Sequence, residues 1–153
     1  MYRFTDLVEV CLSRVPEIFP WDLADKLDTD ESVLILDVRE KDEYDRAHIE
    51  GSMHVPRGIL ESACEYGYEE TVPELVRARD REIVVVCRSG NRSVLAADTM
   101  QRMGYNDVKS LKTGLRGWND DEQPLVDIKG RAVAIEQMDD YFAPKVSAEQ
   151  LGK

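Results

Sequence analysis

A chain of 153 residues, 42% hydrophobic and 33% charged, is long enough for a single domain with a real core and has the ordinary balance of a soluble globular protein. Its formal net charge of −11 excludes surface-wide affinity for nucleic acid or anionic membrane, so an anionic small substrate needs a local cationic site. The three cysteines are odd in number and lack metal-type spacing, no apolar run approaches transmembrane length, and Asp6 and Glu9 interrupt the first apolar residues. Together these predict a cytoplasmic protein with reduced thiols and no metal site.

In chain order, Phe4, Leu7, Val8, Cys11, Leu12 and Val15 recur at the spacing of one helical face, and Pro16 closes the run. Residues 1–16 are therefore predicted to form an extra N-terminal amphipathic helix with Cys11 in the core, packed as a lid in preference to a dimer or partner-binding helix. Ile18 and Phe19 predict an edge strand, and Pro20-Trp21 opens a helix that packs through Trp21, Leu23 and Leu27. Asp28 to Ser32 is a polar turn. The unbroken apolar run Val33–Leu36 has the signature of a strand covered on both faces, and the charged Asp37 and Arg39 end it. A short helix is predicted over Lys41–Arg46, a strand over Met53–Val55 and a helix from Pro56 through Ile59, Leu60 and Ala63 to Cys64. Val72–Arg79 predicts another helix, with Leu75 and Val76 inward.

Residues 83–93, IVVVCRSGNRS, organise the rest. β-branched residues run into Cys87, a short polar loop follows, and Val94, Ala97 and Met100 mark a helix over Val94–Met103. Strand, tight loop and helix is how an open α/β sheet presents a reactive group at the carboxyl end of a strand. Successive N–H groups of the loop can form an anion-binding nest in front of the helix N-terminus. An ordinary thiol titrates near pH ~8.5, and amides, helix end and the cations Arg88 and Arg92 would all favour its thiolate. A buried, inert cysteine is the competing reading. Val108–Leu111 then predicts a last parallel strand, Gly104 a helix cap, and Trp118 the anchor of a closing helix. Ile135, Met138 and Phe142 share a face of a short helix halted by Pro144, which wraps the domain, mediates self-association or stays loose; 143–153 is predicted to fray.

Cys87-Arg88-Ser89-Gly90-Asn91-Arg92 resembles the active-site loop of the rhodanese family of sulfurtransferases. Leu36-Asp37-Val38-Arg39-Glu40, Glu43-Tyr44, His48-Ile49-Glu50-Gly51-Ser52, Met103-Gly104-Tyr105 and Leu111-Lys112-Thr113-Gly114-Leu115-Arg116-Gly117-Trp118 follow the family in the same order. The resemblance implies a rhodanese-like domain over 17–126: an open parallel sheet with helices on both faces, followed by a C-terminal extension over 127–153. It implies a sulfurtransferase that takes a sulfane sulfur from an anionic donor, thiosulfate or a persulfide, onto Cys87 and passes it to a thiol or to cyanide. The loop Arg88, Ser89, Gly90, Asn91, Arg92 and Ser93 would hold the persulfide, Arg88 and Arg92 would orient the donor, and Arg92 has a rival role as a strut. Asp37, Arg39 and Glu43 would brace the site as an ion-paired corner. His48 is read as structural rather than as a general base, and Gly114 would let its backbone lie beside the loop. Family members usually carry glycine where this chain has Ala47, so the backbone there must adopt ordinary dihedrals.

The implied chemistry needs no cofactor, and the acceptor would be a small thiol or a sulfur-relay protein. Oligomeric state and any redox role of Cys64 stay open. Cysteine phosphatases and arsenate reductases provide an alternative, since they also place a thiolate beneath a ring of amides. Their loop is one residue longer than the Cys87–Arg92 spacing. The other alternative is a non-catalytic binding module of the same fold.

Overall fold

The structure is a computed structural model that describes residues 1–30 and 32–153. Glu31, within the polar turn predicted over 28–32, lies outside the described residues. Five strands, β1 (Glu17–Ile18), β2 (Leu34–Asp37), β3 (Met53–His54), β4 (Glu82–Val86) and β5 (Asp107–Leu111), form one sheet in the order β1-β5-β4-β2-β3. All neighbours are parallel, so each return runs through a crossover, and the helices of those crossovers cover both faces. This is an α/β open parallel sheet with an N-terminal helix, α1 (Phe4–Leu12), before it and a C-terminal helix after it.

Strand periodicity sorts the core. Ile83, Val85 and Cys87 point to one face, where they meet Val94, Ala97 and Met100 of α6 (Asn91–Arg102) and Val8 and Cys11 of α1. Val84 and Val86 point to the other, against Leu23 of α2 (Pro20–Thr29) and Leu115 and Trp118 of α7 (Gly114–Asp120). Met138 and Phe142 of α8 (Ile135–Phe142) complete that second layer, so the C-terminal helix wraps the sheet. Between β2 and β3 lies α3 (Lys41–Arg46), and between β3 and β4 lie α4 (Leu60–Ala63) and α5 (Pro73–Val76).

Several expectations need correction. Trp21 is exposed and stacks on Phe19 with ring centroids 4.7 Å apart, rather than packing inward as Leu23 does. Only Val8, Cys11 and Val15 of the N-terminal stripe are buried, while Phe4, Leu7 and Leu12 stay exposed, because the helix touches the domain along one narrow seam beside α6. Arg57–Ile59 is a 3₁₀ turn leading into α4, and α5 stops at Val76, three residues short of the predicted end. The segment predicted to fray turns back on itself: the Leu151 amide donates to the Ser147 carbonyl (3.0 Å) and the Lys153 amide to the Ala148 carbonyl (2.9 Å). Among the described residues, no helix is long and apolar enough to cross a membrane.

Candidate active site

β4 occupies the middle of the sheet, and Cys87 follows its last residue, Val86. The residue after the strand must reverse direction into α6, and Gly90 makes that turn with φ +95°, a left-handed conformation that glycine adopts at little cost. α6 consequently starts at Asn91, three residues before the predicted Val94, and absorbs Asn91, Arg92 and Ser93 into its first turn.

Gly90 has no side chain with which to cap the helix. The Cys87 sulfur does so instead: Sγ accepts from the Gly90 amide at 3.1 Å and from the Ser93 amide at 3.3 Å. A helix N-terminus carries roughly half a positive charge, so the sulfur sits where negative charge is favoured. As a thiol, Sγ also donates to Ser93 Oγ at 3.2 Å, and that hydroxyl shares a 2.7 Å hydrogen bond with Ser110 Oγ on β5. Of the six amides of Arg88–Ser93, these two reach the sulfur, so the ring is narrower than the sequence suggests. Cys87 is 1% exposed, at the rim of the first core layer, so a reactant reaches Sγ only by local opening of its cover.

The loop is fixed from outside by the turn after β5. Thr113 and Gly114 are both left-handed, at φ +67° and +63°, which turns the amides of Leu115 and Arg116 toward the loop. Leu115 N donates to the Cys87 carbonyl (2.8 Å) and Arg116 N to the Arg88 carbonyl (3.0 Å). Gly114 lies so close that a Cβ there would stand 2.5 Å from the Arg88 carbonyl. A β-branched residue in this region is strained, and Thr113 holds that strain beside the cysteine.

The predicted corner of Asp37, Arg39 and Glu43 divides in two. Asp37 and Arg39 form a fully buried pair (Nη2 to Oδ2 2.8 Å), and Arg39 Nη2 also donates to the Ala47 carbonyl at 2.7 Å. Among the described residues, Arg39 Nη1 has no hydrogen-bond partner. Ala47 is extended (φ −168°), which any residue accepts in place of glycine. Glu43 instead takes Arg92 in a bidentate pair, both N–O distances 2.9 Å, across 49 residues of sequence. Burial works to raise the Glu43 carboxyl, and the Arg92 guanidinium outweighs it, holding the carboxyl below its ordinary value. Arg92 is thus a strut between α3 and α6.

Arg88 is held too: its Nη2 donates to the carbonyls of Phe142 (3.0 Å) and Ala143 (3.3 Å). Ser89 is exposed, and Asn91 is the first residue of α6. His48 stacks on Tyr44 with centroids 3.8 Å apart, its Nδ1 lies 2.7 Å from the Tyr44 carbonyl, and its backbone pairs with Val126; none of these contacts reaches the cysteine. Cys64 is fully buried on α4's end, where burial pushes its thiol up, a poor setting for a redox partner. Among the described residues, no cluster of three or more His, Cys, Asp or Glu is placed to hold a metal. Ser110 and Thr113 escaped sequence reasoning. A serine at an inward position of the strand Asp107–Leu111 was the available signal for the first, and nothing local marked the second.

Fold and site together define an α/β protein built around one amide-held cysteine at the carboxyl end of its central strand. Residues 20–121 match the family model described as "Rhodanese-like domain", two thirds of the chain. The chain belongs to the rhodanese-like domain family. It is 40% identical over 106 residues to the Bacillus subtilis protein named "Putative sulfur carrier protein YrkF", a stretch that covers 69% of this chain and 52% of that protein. It is 33% identical over 100 residues to the Schizosaccharomyces pombe "Putative thiosulfate sulfurtransferase, mitochondrial", covering 60% of this chain and 66% of that one. The chain therefore spans about half the length of the Bacillus protein and about two thirds of the yeast one. Among solved structures, a Rhodopseudomonas palustris protein of unknown function, described as a "Possible Tyrosine Phosphatase", superposes with a TM-score of 0.74 at 27% identity, covering 82% of this chain and 95% of that one. A thiosulfate sulfurtransferase from Pseudomonas aeruginosa gives 0.66 at 26% identity, covering 90% of this chain and 25% of that one.

Proposed function

We propose that the protein is a sulfurtransferase that carries a sulfane sulfur as a persulfide on Cys87, taking it from an anionic donor and delivering it to a thiol. The observation that carries this reading is the placement of Sγ under the Gly90 and Ser93 amides at the start of α6. In the first half-reaction the Cys87 thiolate attacks the outer sulfur of a donor such as thiosulfate. The donor's S–S bond breaks, its electron pair leaves with sulfite, and a new S–S bond joins the sulfur to Cys87. The charge then rests on the outer sulfur, which the amides and helix end favour as donors favour an oxyanion. In the second half-reaction a nucleophile (cyanide in an assay, a small thiol or a relay protein's cysteine in the cell) attacks that sulfur and releases the thiolate. Two displacements through one covalent intermediate give ping-pong kinetics. Family membership and the names of the Bacillus and yeast relatives support the reading.

The description of the Rhodopseudomonas neighbour favours a second reading, phosphate-ester hydrolysis. Such chemistry needs an arginine free to clamp the phosphoryl oxygens, and both terminal nitrogens of Arg92 are committed to Glu43. A thiosulfate:cyanide assay of wild type beside Cys87→Ala tests the proposal, with p-nitrophenyl phosphate as a parallel substrate. Thiocyanate production lost with the cysteine supports sulfur transfer. Cysteine-dependent phosphate release without thiocyanate would establish the second reading, and no cysteine-dependent turnover of either would leave the fold as a binding module.

A further inference from the structure

The tail that follows α8 does not leave the domain. It folds over the cysteine loop, fastened by the bonds from Arg88 Nη2 to the Phe142 and Ala143 carbonyls. Between tail and loop lies a cleft of about 380 Å³, in the ~300–1,000 Å³ range of small-molecule sites. Its lining combines the exposed apolar side chains of Pro144 and Val146 with the cations Arg88, Arg116 and Lys145. Among the described residues, no carboxylate lines it, in a chain whose net charge is −11.

The cations are available. Among the described residues, Arg116 makes no side-chain hydrogen bond or ion pair, and Arg88 contacts carbonyls but no carboxylate. Lys145 faces only Asp140, at 3.9 Å and with the carboxylate 87% exposed, a pair that solvent weakens. The cleft meets the loop at Arg88 and Ser89, the two residues after Cys87, whereas Sγ itself points inward to Gly90 and Ser93. Charge recognition and sulfur attack are therefore separated in space. Thiosulfate carries its charge one bond from its sulfane sulfur and fills little of such a cleft.

We propose that this cleft binds the anionic group of the sulfur donor, and that the donor is an organic persulfide whose carboxylate lies apart from its sulfane sulfur. Arg116 and Lys145 take the carboxylate, and Pro144 and Val146 take the carbon skeleton. This rests on the sulfurtransferase reading. The transfer is balanced without any co-reactant: the Cys87 thiolate bonds to the outer sulfur of R–S–SH, the donor's S–S bond breaks, and R–S⁻ leaves with the electron pair. The C-terminal extension, which lies beyond the residues matched to the family, then contributes donor specificity to the family's chemistry.

The test compares the persulfide of N-acetylcysteine with that of its methyl ester, on the full chain. Wild type is expected to prefer the free acid in kcat/KM by about tenfold, the worth of one charge-assisted contact at a half-exposed site. In Arg116→Gln/Lys145→Gln the preference is expected to fall to about twofold, through KM. Lys112→Gln, which removes an exposed cation outside the cleft, is expected to keep it. Absence of the preference in wild type, its survival in the double variant, or its equal loss in Lys112→Gln would overturn the proposal. Intact mass separates this from failure of the underlying reading: sulfur added to Cys87 at equal rates from both compounds refutes the cleft alone, and no sulfur from either refutes the transfer chemistry as well.

Discussion

Gly114→Ala tests whether the turn after β5 holds the cysteine loop in its working position. The new Cβ would stand 2.5 Å from the carbonyl carbon and oxygen of Arg88 and 2.6 Å from the Ser89 amide, where ordinary contact begins at 3.4 Å. Nothing flexible lies in its way, since all three atoms are backbone, so loop and turn must separate by about 0.9 Å. That movement strains the bonds from Leu115 N to Cys87 O and from Arg116 N to Arg88 O, at 2.8 and 3.0 Å. Two weakened hydrogen bonds at ~1 kcal/mol each, with ~1–2 kcal/mol for a left-handed alanine, give a stability loss of about 3–4 kcal/mol. A displacement of about 1 Å at the reacting group costs roughly a hundredfold in rate. Urea unfolding measures the first quantity, and single-turnover transfer from thiosulfate measures the second. Gly58→Ala is the control: its Cβ meets nothing within 4 Å and its φ is ordinary, so both quantities should stay near wild type. A folded Gly114→Ala protein with more than half the wild-type rate would refute the claim that this contact positions the cysteine.

Three further outcomes follow from the same geometry. Ser93→Ala removes the hydroxyl that links Sγ to Ser110, and single-turnover transfer should slow by about tenfold while the Ser93 amide still caps the sulfur. Arg39→Leu strands Asp37 as an unpaired charge in a fully buried site, and urea titration should show a loss of about 3–5 kcal/mol. Glu43→Gln removes the pair with the part-exposed Arg92, for about 1–2 kcal/mol at neutral pH. Because the folded carboxyl lies below its unfolded value, its contribution is full above the unfolded value and vanishes as pH falls through the folded one. Wild type and Glu43→Gln should therefore converge in stability below the carboxylate range, and a gap that persists there would contradict the assignment.

Local signals carried the sheet and the nucleophile. β2 and β4 contain the unbroken apolar runs Leu34–Leu36 and Ile83–Val86, and alternation along Ile83–Cys87 decides which residues face α6 and which face α7. The start of α6 was misplaced because its first turn, Asn91-Arg92-Ser93, is polar and has no apolar period to mark it. Its true signal is conformational, the left-handed Gly90. Trp21 illustrates another limit: an aromatic residue at the opening of a helix reads as core, although stacking on Phe19 satisfies it at the surface. The partners of Arg92 and Arg88 lie 49 and 54 residues away, at distances that no local pattern encodes. The tail's position over the loop depends on Met138 and Phe142 filling the second core layer, and on two backbone carbonyls that accept from Arg88. Main-chain acceptors leave no trace in side-chain composition, so the cleft became visible only with the fold.

The most direct measurement is intact mass of the protein after incubation with thiosulfate, mapped by peptide to the modified residue. The account predicts the mass of one added sulfur atom on Cys87, absent in Cys87→Ala and removed by cyanide as thiocyanate forms. An unmodified Cys87 after exposure to thiosulfate and to organic persulfides, or added sulfur residing on Cys11 or Cys64, would contradict it.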